Sequence, residues 1–574
     1  MSEPGTWDAI VVGAGLAGLT AGAYLAAAGR RVIVLEAGDA AGGSSHVFRR
    51  KNEWEFDVGV HHLGNCGPDG LLPMVLRGLA LEDRIEFLPF DPDRLETYVL
   101  PGLQFEAPKG LDRYEEALVG AFPADSRGIR RFMRVMRGIG GALDRAAVPS
   151  SLRDFGSFGV RAPQWAAWAY VPLQRLYDLC GLSAQAQLVL STSNVSYLAP
   201  PSRAPVGMHA AFLWDFIEKG GTYPKGGGQV FAAHLTDVVR THGGTVRTQA
   251  RVEEIVIAEG RVAGVRLTDG EALAAPVVLS AADVKRTLLG MVGREHLKLR
   301  TARRVEGGRM CQPYFTAYLG VDLDLAGRLP NTDHLSFPTW DPIEDVFAMT
   351  RGPRRRTDAW MDDLARRMPA YIHSSTIKDP GTARYAPAGH TNLEAMFPIT
   401  GDLGLWGLSG GPADGGQYRD NTAYLELKEH LVDVMIDRVD EAIPGVKEHV
   451  VWREGGTPVT QERYTTPTGG TAYGLEIAVD QFAQRGRWGV RTEIPGLFLA
   501  GASCTWGPGI EGVMHSGMYA AAAITGRDLA REVRGGAVIA DAARLSPVGP
   551  DWDPLGASRR LAQKPAAAQP IPVA

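Results

Sequence analysis

Glycine spacing near the start of the chain supplies the first residues that could do chemistry. Gly13, Gly15 and Gly18 follow a short apolar run and open an Ala-rich stretch. In dinucleotide-binding proteins the first glycine permits a tight turn, the second lets the backbone approach a pyrophosphate, and the third lets a helix pack closely on a strand. We therefore expect these glycines, with Leu16 and Ala17, to hold a diphosphate at the positive N-terminus of a helix.

An acidic residue follows the glycines at the distance that a dinucleotide requires. A second apolar run, residues 31–35, ends at Glu36, which is followed by Ala37. A carboxylate about 20 residues after the glycine motif accepts hydrogen bonds from the adenosine ribose, and it would repel the 2′-phosphate of NADP. The alternative is a glycine turn that binds nothing, and the position of Glu36 argues against it.

A second glycine pair distinguishes FAD from NAD. Gly42, Gly43, Ser44 and Ser45 come just after the ribose acid, where flavoproteins place a second glycine pair against the diphosphate, and residues 55–59 then read as a short strand and turn. An ordinary NAD dehydrogenase would instead continue with regular βαβ units. The predicted cofactor is therefore FAD.

With these residues in view, the chain resembles the flavoprotein superfamily of phytoene desaturases, carotenoid isomerases and retinol saturases. Four separated blocks carry the resemblance, at residues 13–64, 223–228, 251–283 and 496–513. Within the first block, residues 42–46 and 56–64 are most similar to the retinol saturase branch. The resemblance implies an FAD-dependent oxidoreductase that desaturates, saturates or isomerises carbon–carbon double bonds of a lipophilic polyene or isoprenoid.

The resemblance also implies five further FAD contacts, at Val252, Gly501, Ala502, Gly512 and Val513. In the family, backbone groups near the position of Val252 face the adenine. Ala502 stands where many flavoproteins have Asp, which leaves recognition of the ribitol to the backbone or to Ser503. The helix that begins near Val513 would point its N-terminus at the flavin and favour negative charge on the reduced ring.

Candidate catalytic residues come from the same resemblance. The family motif places the turn with His61 and His62 near the flavin, so His61 is expected among the cofactor contacts and either histidine could donate a proton. The alternative is that one of them only hydrogen-bonds the backbone. Glu511 either faces the flavin ring or stabilises the start of its helix by its charge. Tyr473 matches a family position near the flavin, and its role is open.

Composition excludes several classes of function. The formal net charge of -5 at pH 7 argues against a nucleic-acid partner. The four cysteines are scattered without metal-ligand or disulfide spacing, so neither a metal site nor a disulfide framework is predicted. Hydrolase motifs and Walker loops are absent, and so are a signal peptide and an apolar run of about 18 residues. We expect a cytoplasmic protein that is soluble or lies on a membrane surface.

The fold class predicted is α/β: a Rossmann-like FAD-binding domain of the two-dinucleotide-binding type with an inserted α+β substrate domain. At 574 residues the chain exceeds one ordinary domain. The predicted division is an FAD-binding domain from residues 1–75, 222–300 and 455–535, a substrate domain from 76–221 and 301–454, and a flexible tail from 536–574.

The expected partner is a lipophilic small molecule. Aromatic stretches at residues 165–173 and 208–214 read as helices that line an apolar pocket, or as ordinary core. Residues 127–137 read as a basic amphipathic helix, which would rest on an anionic bilayer or simply face solvent. Nothing in the sequence indicates the oligomeric state.

Two other functions stay open. A flavin amine oxidase shares the cofactor fold and would need an aromatic cage, which Trp406, Tyr473 and Trp506 could build. The second is a catalytically silent flavoprotein that acts as a lipid carrier or scaffold.

Overall fold

A computed structural model describes residues 7–145, 162–411, 417–505 and 507–559. The strands are β1 Ala9–Val12, β2 Val32–Leu35, β3 Val47–Arg50, β4 Trp54–Asp57, β5 Phe87–Pro89, β6 Glu96–Leu100, β7 Leu103–Ala107, β8 Thr222–Pro224, β9 Thr245–Arg247, β10 Val252–Ala258, β11 Arg261–Leu267, β12 Ala272–Ala274, β13 Val278–Ser280, β14 Tyr314–Val321, β15 Asp333–Ser336, β16 Ala370–His373, β17 Thr391–Pro398, β18 Val450–Gly456 and β19 Leu497–Leu499. The helices are α1 Leu16–Ala27, α2 Leu71–Gly78, α3 Leu111–Ala121, α4 Ser126–Arg145, α5 Pro163–Trp168, α6 Leu173–Cys180, α7 Ala184–Leu190, α8 Asn194–Tyr197, α9 Val206–Phe212, α10 Gln229–Thr241, α11 Leu299–Gly307, α12 Ile343–Arg351, α13 Asp358–Arg367, α14 Ser375–Lys378, α15 Thr422–Ala442, α16 Pro458–Thr465, α17 Ile510–Thr525, α18 Leu529–Arg534 and α19 Pro554–Ala557.

A five-stranded parallel sheet in the order β19-β13-β1-β2-β9 forms the centre of one half of the molecule. Its strands are short, apolar and buried on both faces, as parallel sheets require. Side chains alternate between the faces, so Ala9 and Val11 enter one hydrophobic cluster while Ile10 and Val12 enter another. Helices α1, α10 and α17 pack together over the first of these clusters.

A seven-stranded mixed sheet forms the other half, in the order β18-β14-β17-β16-β15-β6-β7. All of its neighbouring pairs are antiparallel except β15 and β6, which are parallel. Helix α15 packs against β14–β18, and this half contains the largest hydrophobic cluster among the described residues. Strands β14–β17 are largely buried, yet several carry polar side chains, and these supply the site described below.

The segment after residue 535 differs from the prediction of a flexible tail. Through Arg559 it packs on the half that contains the parallel sheet, with Leu545 and Leu555 buried. Arg49 donates to both carboxylate oxygens of Asp553, at 3.1 and 2.6 Å, and the Ser558 carbonyl accepts from the amide of Ala41 at 2.9 Å. The prediction was wrong up to this point because these contacts are made with residues about 500 positions away. The rest of the predicted tail, residues 560–574, lies outside the described residues.

The predicted basic helix is α4. Arg127, Arg130, Arg131 and Arg134 are exposed on one face, while residues between them, Phe132 among them, are buried. The charge run is thus the exposed basic face of an amphipathic helix. Across the described ranges, no helix has the length and apolar character needed to cross a membrane.

Candidate functional site

A cavity of about 800 Å³ lies at the carboxyl ends of the parallel strands. Its walls include the residues that directly follow β1, β2, β13 and β19, which is where α/β folds bind their ligands. Fourteen of the predicted cofactor contacts line it: Gly13, Gly15, Leu16, Ala17, Glu36, Ala37, Gly42, Gly43, Ser44, Ser45, Val252, Gly501, Ala502 and Val513. Three of the four sequence blocks therefore meet in one place, while no residue of the second block, 223–228, lines this cavity.

The two glycine turns contact each other at the floor of this cavity. The amide of Gly42 donates to the carbonyl of Ala14 at 2.8 Å, and a Cβ at Gly43 would lie 2.9 Å from the Cα of Gly15. Gly43 also has a φ of 56°, a conformation that favours glycine. Because α1 begins at Leu16, its first amides have no partner within the helix, and Leu16 and Ala17 line the cavity.

Glu36 is held in place by backbone amides. Its Oε2 accepts from the amide of Ala14 and its Oε1 from the amide of Gly38, both at 2.8 Å. The carboxylate is thereby fixed beside the glycine turn, where a ribose hydroxyl would meet it. The glycine cradle, the free helix terminus and this carboxylate together fit the adenosine diphosphate half of FAD.

Three predicted cofactor contacts do not line the large cavity. A Cβ at Gly18 would lie 2.0 Å from the carbonyl oxygen of Gly13, so this glycine allows α1 to pack closely on the preceding turn. Gly512 lies within the first turn of α17, beside the wall residues Ile510 and Val513. His61 lines a second, smaller cavity instead.

The second cavity, of about 90 Å³, adjoins the first and shares six wall residues with it: Ser44, Gly59, Thr465, Thr471, Ala472 and Tyr473. The side away from the shared wall comes from the seven-stranded half, with Tyr314, Tyr371 and Met396 from its sheet. Predicted residues His61, His62 and Tyr473 all border it. We call it the inner cavity.

The two histidines have different partners. His61 Nε2 lies 3.1 Å from Glu394 Oε2, while His62 Nδ1 lies 2.8 Å from Tyr371 Oη and 3.4 Å from Asp333 Oδ2. Burial lowers the pKa of His61 to about 4. Burial also lowers the pKa of His62, against an opposing effect of Asp333. Both rings are therefore neutral at pH 7.

A buried ion pair contacts both histidines: Asp333 lies beside His62, and Lys378 donates to the carbonyl of His61. Lys378 Nζ donates to Asp333 Oδ1, and the side chains of both residues are fully buried. Burial alone would raise the pKa of Asp333, but the charge of Lys378 and hydrogen bonds from His373 and His62 hold it well below the usual value. Sequence reasoning missed these residues, since an isolated Asp, Lys or Tyr in a strand or short helix has no spacing signature.

The pKa of the Glu394 carboxyl group is shifted in the opposite direction to that of Asp333. It is completely buried on β17, and burial holds its pKa well above the usual value despite a hydrogen bond from the amide of Asp57 at 2.9 Å. Nearby, burial and the neighbouring Glu394 raise the pKa of Asp57 to about 7. His61 therefore contacts a carboxyl group whose pKa is raised, that of Glu394, whereas His62 lies beside a carboxyl group whose pKa is lowered, that of Asp333.

The remaining catalytic candidates are placed apart from each other. Tyr473 lies at the boundary of the two cavities, and burial raises its pKa to about 12, so its hydroxyl stays protonated. Glu511 lines neither cavity. Burial and the nearby Asp215 hold the pKa of Glu511 well above its usual value, which disfavours a stabilising charge at the helix start. A place for Glu511 at the flavin ring stays a prediction.

Of the aromatic residues proposed for an amine oxidase cage, Trp406 lies apart from Tyr473. Trp406 is completely buried against Tyr424 and donates its Nε1–H to the carbonyl of Thr400 at 2.9 Å, away from both cavities. Trp506 lies outside the described residues. The aromatic helices α5 and α9 also line neither cavity and belong to the core.

Comparison with known proteins agrees with this geometry. A sequence model of the family described as "Flavin containing amine oxidoreductase" matches residues 16–311, more than half of the chain. The all-trans-retinol 13,14-reductase of Danio rerio is 24% identical over 545 residues, which cover 90% of this chain and 86% of the relative. Prolycopene isomerase 1, chloroplastic, of an Oncidium hybrid cultivar is 27% identical over 562 residues, covering 96% and 88%. The resemblance to the polyene flavoproteins is thus confirmed.

Solved structures confirm the predicted fold class. Cyclohexylamine oxidase from Brevibacterium oxydans IH-35A superimposes with a TM-score of 0.57 at 16% identity, covering 92% of this chain and 100% of the oxidase. At this identity the likeness shows the fold alone. It agrees with the α/β class and with the parallel sheet on which the large cavity is built.

Proposed function

Because the chain belongs to the family of flavin-containing amine oxidoreductases, we propose that it is an FAD-dependent enzyme acting on carbon–carbon double bonds of a lipophilic polyene or isoprenoid. FAD is its cofactor. The large cavity holds it, through the fourteen predicted residues on its wall, and the inner cavity takes the reacting part of the substrate. The seven-stranded half is accordingly the substrate domain.

The observation that carries the choice of substrate is the lining of the inner cavity. Among the described residues, no Asp, Glu, Lys or Arg lines it; its walls are apolar, aromatic, hydroxyl-bearing and imidazole side chains with one amide, that of Gln461. An ammonium substrate would need a carboxylate or another anionic group in the wall to balance its charge. An uncharged hydrocarbon segment needs neither, and relatives over almost the full length are a retinol reductase and a prolycopene isomerase.

Bound flavin supplies hydride transfer at N5, and the chain supplies position and proton handling. Tyr473 and the turn at Gly59 form part of the wall between the two cavities, so they set how closely a substrate carbon approaches the flavin side. Water is restricted there because His61 and His62 are only 13% and 16% exposed.

The test is a substrate panel offered to purified holoprotein. We expect bound FAD in the released chromophore, product formation from at least one polyene detected by mass spectrometry, and no turnover of primary amines. Turnover of amines without polyenes would support an amine oxidase instead. Tight polyene binding with no change in substrate or flavin absorbance would support a silent lipid carrier.

We also propose that α4 brings the enzyme to a membrane surface on the cytoplasmic side, where a lipophilic substrate resides. The support is its face of four exposed arginines, and free cysteines at all four positions suit a reducing compartment. Flotation with vesicles containing anionic lipid should recover the protein at low salt and lose it at high salt. A variant with Arg130, Arg131 and Arg134 changed to Gln should not float; equal recovery of both proteins would contradict the proposal.

A further inference from the structure

The buried ion pair of Asp333 and Lys378 needs an explanation beyond stability. Removing two charges from water is expensive, and a buried pair is on average no more stabilising than apolar residues of the same volume. Lys378 is also fully engaged: its Nζ reaches Asp333, the carbonyl of His61 at 2.7 Å and His373 Nδ1 at 2.6 Å. The pair therefore keeps Asp333 ionised at a fixed position next to the inner cavity.

The hydrogen bonds around Asp333 determine which nitrogen of His62 carries hydrogen. Tyr371 donates its only hydroxyl proton to Asp333 Oδ2, since an ionised carboxylate accepts but never donates. The Tyr371 oxygen must then accept from His62 Nδ1 at 2.8 Å, and Asp333 Oδ2, at 3.4 Å from the same nitrogen, is likewise an acceptor. Nδ1 therefore carries the hydrogen, and in the neutral ring Nε2 has a free lone pair.

His62 offers this lone pair from the wall of the inner cavity. His62 lines the inner cavity, and among the described residues Nδ1 is its only hydrogen-bonded ring nitrogen. In His61 the corresponding nitrogen, Nε2, is taken by Glu394 at 3.1 Å. A nitrogen engaged by Glu394 in this way is not free to take a proton from the substrate.

We propose that His62 is the catalytic base of this enzyme and that Tyr371, Asp333 and Lys378 are positioning residues that keep its Nε2 unprotonated. This rests on the proposed function. Bound FAD would be the two-electron acceptor for the hydride that leaves one substrate C–H bond with its electron pair. The adjacent C–H bond gives its proton to His62 Nε2, and its electron pair becomes the new C=C bond. The imidazolium that forms is stabilised by Asp333.

Protonation can be read directly, without turnover. Protein labelled with ¹⁵N-histidine, free of cofactor and then loaded with FAD, should show for His62 a protonated Nδ1 and an unprotonated Nε2. His62→Gln assigns the signal by its loss. Tyr371→Phe, which removes the nearer acceptor and keeps the ring, should lower the population of the Nδ1–H tautomer without abolishing it, because Asp333 Oδ2 remains at 3.4 Å. Tyr177→Phe, a buried tyrosine elsewhere in the same half, is the control and should leave it unchanged.

Kinetics test the role of the nitrogen. His62→Gln should lower kcat for oxidation of a polyene by about 10²-fold or more, as expected for loss of a general base, with FAD still bound. Tyr371→Phe should lower kcat several-fold at nearly unchanged KM, which a loss of substrate binding would not do. His62 in the Nε2–H form, or a His62→Gln enzyme within threefold of an active wild type, would overturn the inference. If the proposed function itself is wrong, the wild-type enzyme will turn over no polyene, and this result is distinct from an active wild type with an equally active His62→Gln variant.

Discussion

Gly15→Ala should change cofactor binding without weakening the fold, because the added methyl group makes no close contact within the protein. Gly15 has φ -68° and ψ 170°, a conformation open to any residue. Its Cβ would find only the Cα of Gly43 within 4 Å, at 3.9 Å. The apoprotein should therefore be as stable as wild type or gain about 0.4–1 kcal/mol, as non-strained replacements of glycine do.

Flavin binding should respond in the opposite direction. The methyl group projects into the cavity where the backbone must approach the diphosphate. Overpacking by such a group costs about 1–3 kcal/mol, which raises the dissociation constant of FAD about 5–150-fold. Gly15→Val should prevent retention of flavin altogether.

The assay is a calorimetric titration of apoprotein with FAD, together with thermal denaturation of the apo forms. Gly120→Ala is the matched control, since Gly120 lies in α3 with open space around its Cβ and far from the cavity. It should bind FAD as wild type does. Normal FAD affinity in Gly15→Ala and Gly15→Val would refute the placement of the diphosphate.

Three other outcomes follow from the packing and charges. Gly18→Ala should destabilise the protein by more than about 3 kcal/mol with or without FAD, because its Cβ would lie 2.0 Å from the rigid Gly13 carbonyl; a wild-type melting temperature would contradict this. Lys378→Met should lower the free energy of unfolding in urea by about 3–5 kcal/mol by leaving Asp333 unpaired, and a loss below 1 kcal/mol, roughly the worth of a surface pair, would count against the buried pair. Burial lowers the pKa of His209 to about 3, so the unfolded chain takes up a proton below about pH 6.5 while the folded chain does not, and stability is lost as pH falls toward 3. Between about pH 6 and 4.5, the free energy of unfolding of wild type should fall by about 1.4 kcal/mol per pH unit more than that of His209→Gln. The same pH dependence in both proteins would contradict this.

The cofactor half of the site was predictable because its signals are local. Positive φ, close approach of two backbones and the start of a helix each demand particular residues at short spacing, so Gly13, Gly15 and Gly43 could be assigned before any fold was known. Glu36 followed from the fixed length of one strand–helix–strand unit. The resemblance then brought in the distant blocks around Val252 and Gly501, which do line the same cavity.

Only the tertiary structure decided the chemistry of the inner cavity. The residues that contact each other here are far apart in the sequence. Tyr371 lies 309 positions after His62, and Lys378 lies 317 positions after His61, whose carbonyl it contacts. No spacing pattern links them. Their charge states depend on burial and on one another, which the residue types alone do not reveal. The docked segment around Asp553 was missed for the same reason. Local backbone conformation depends on residues that are neighbours in the sequence. The charge state of a buried group depends on the side chains that the fold places around it.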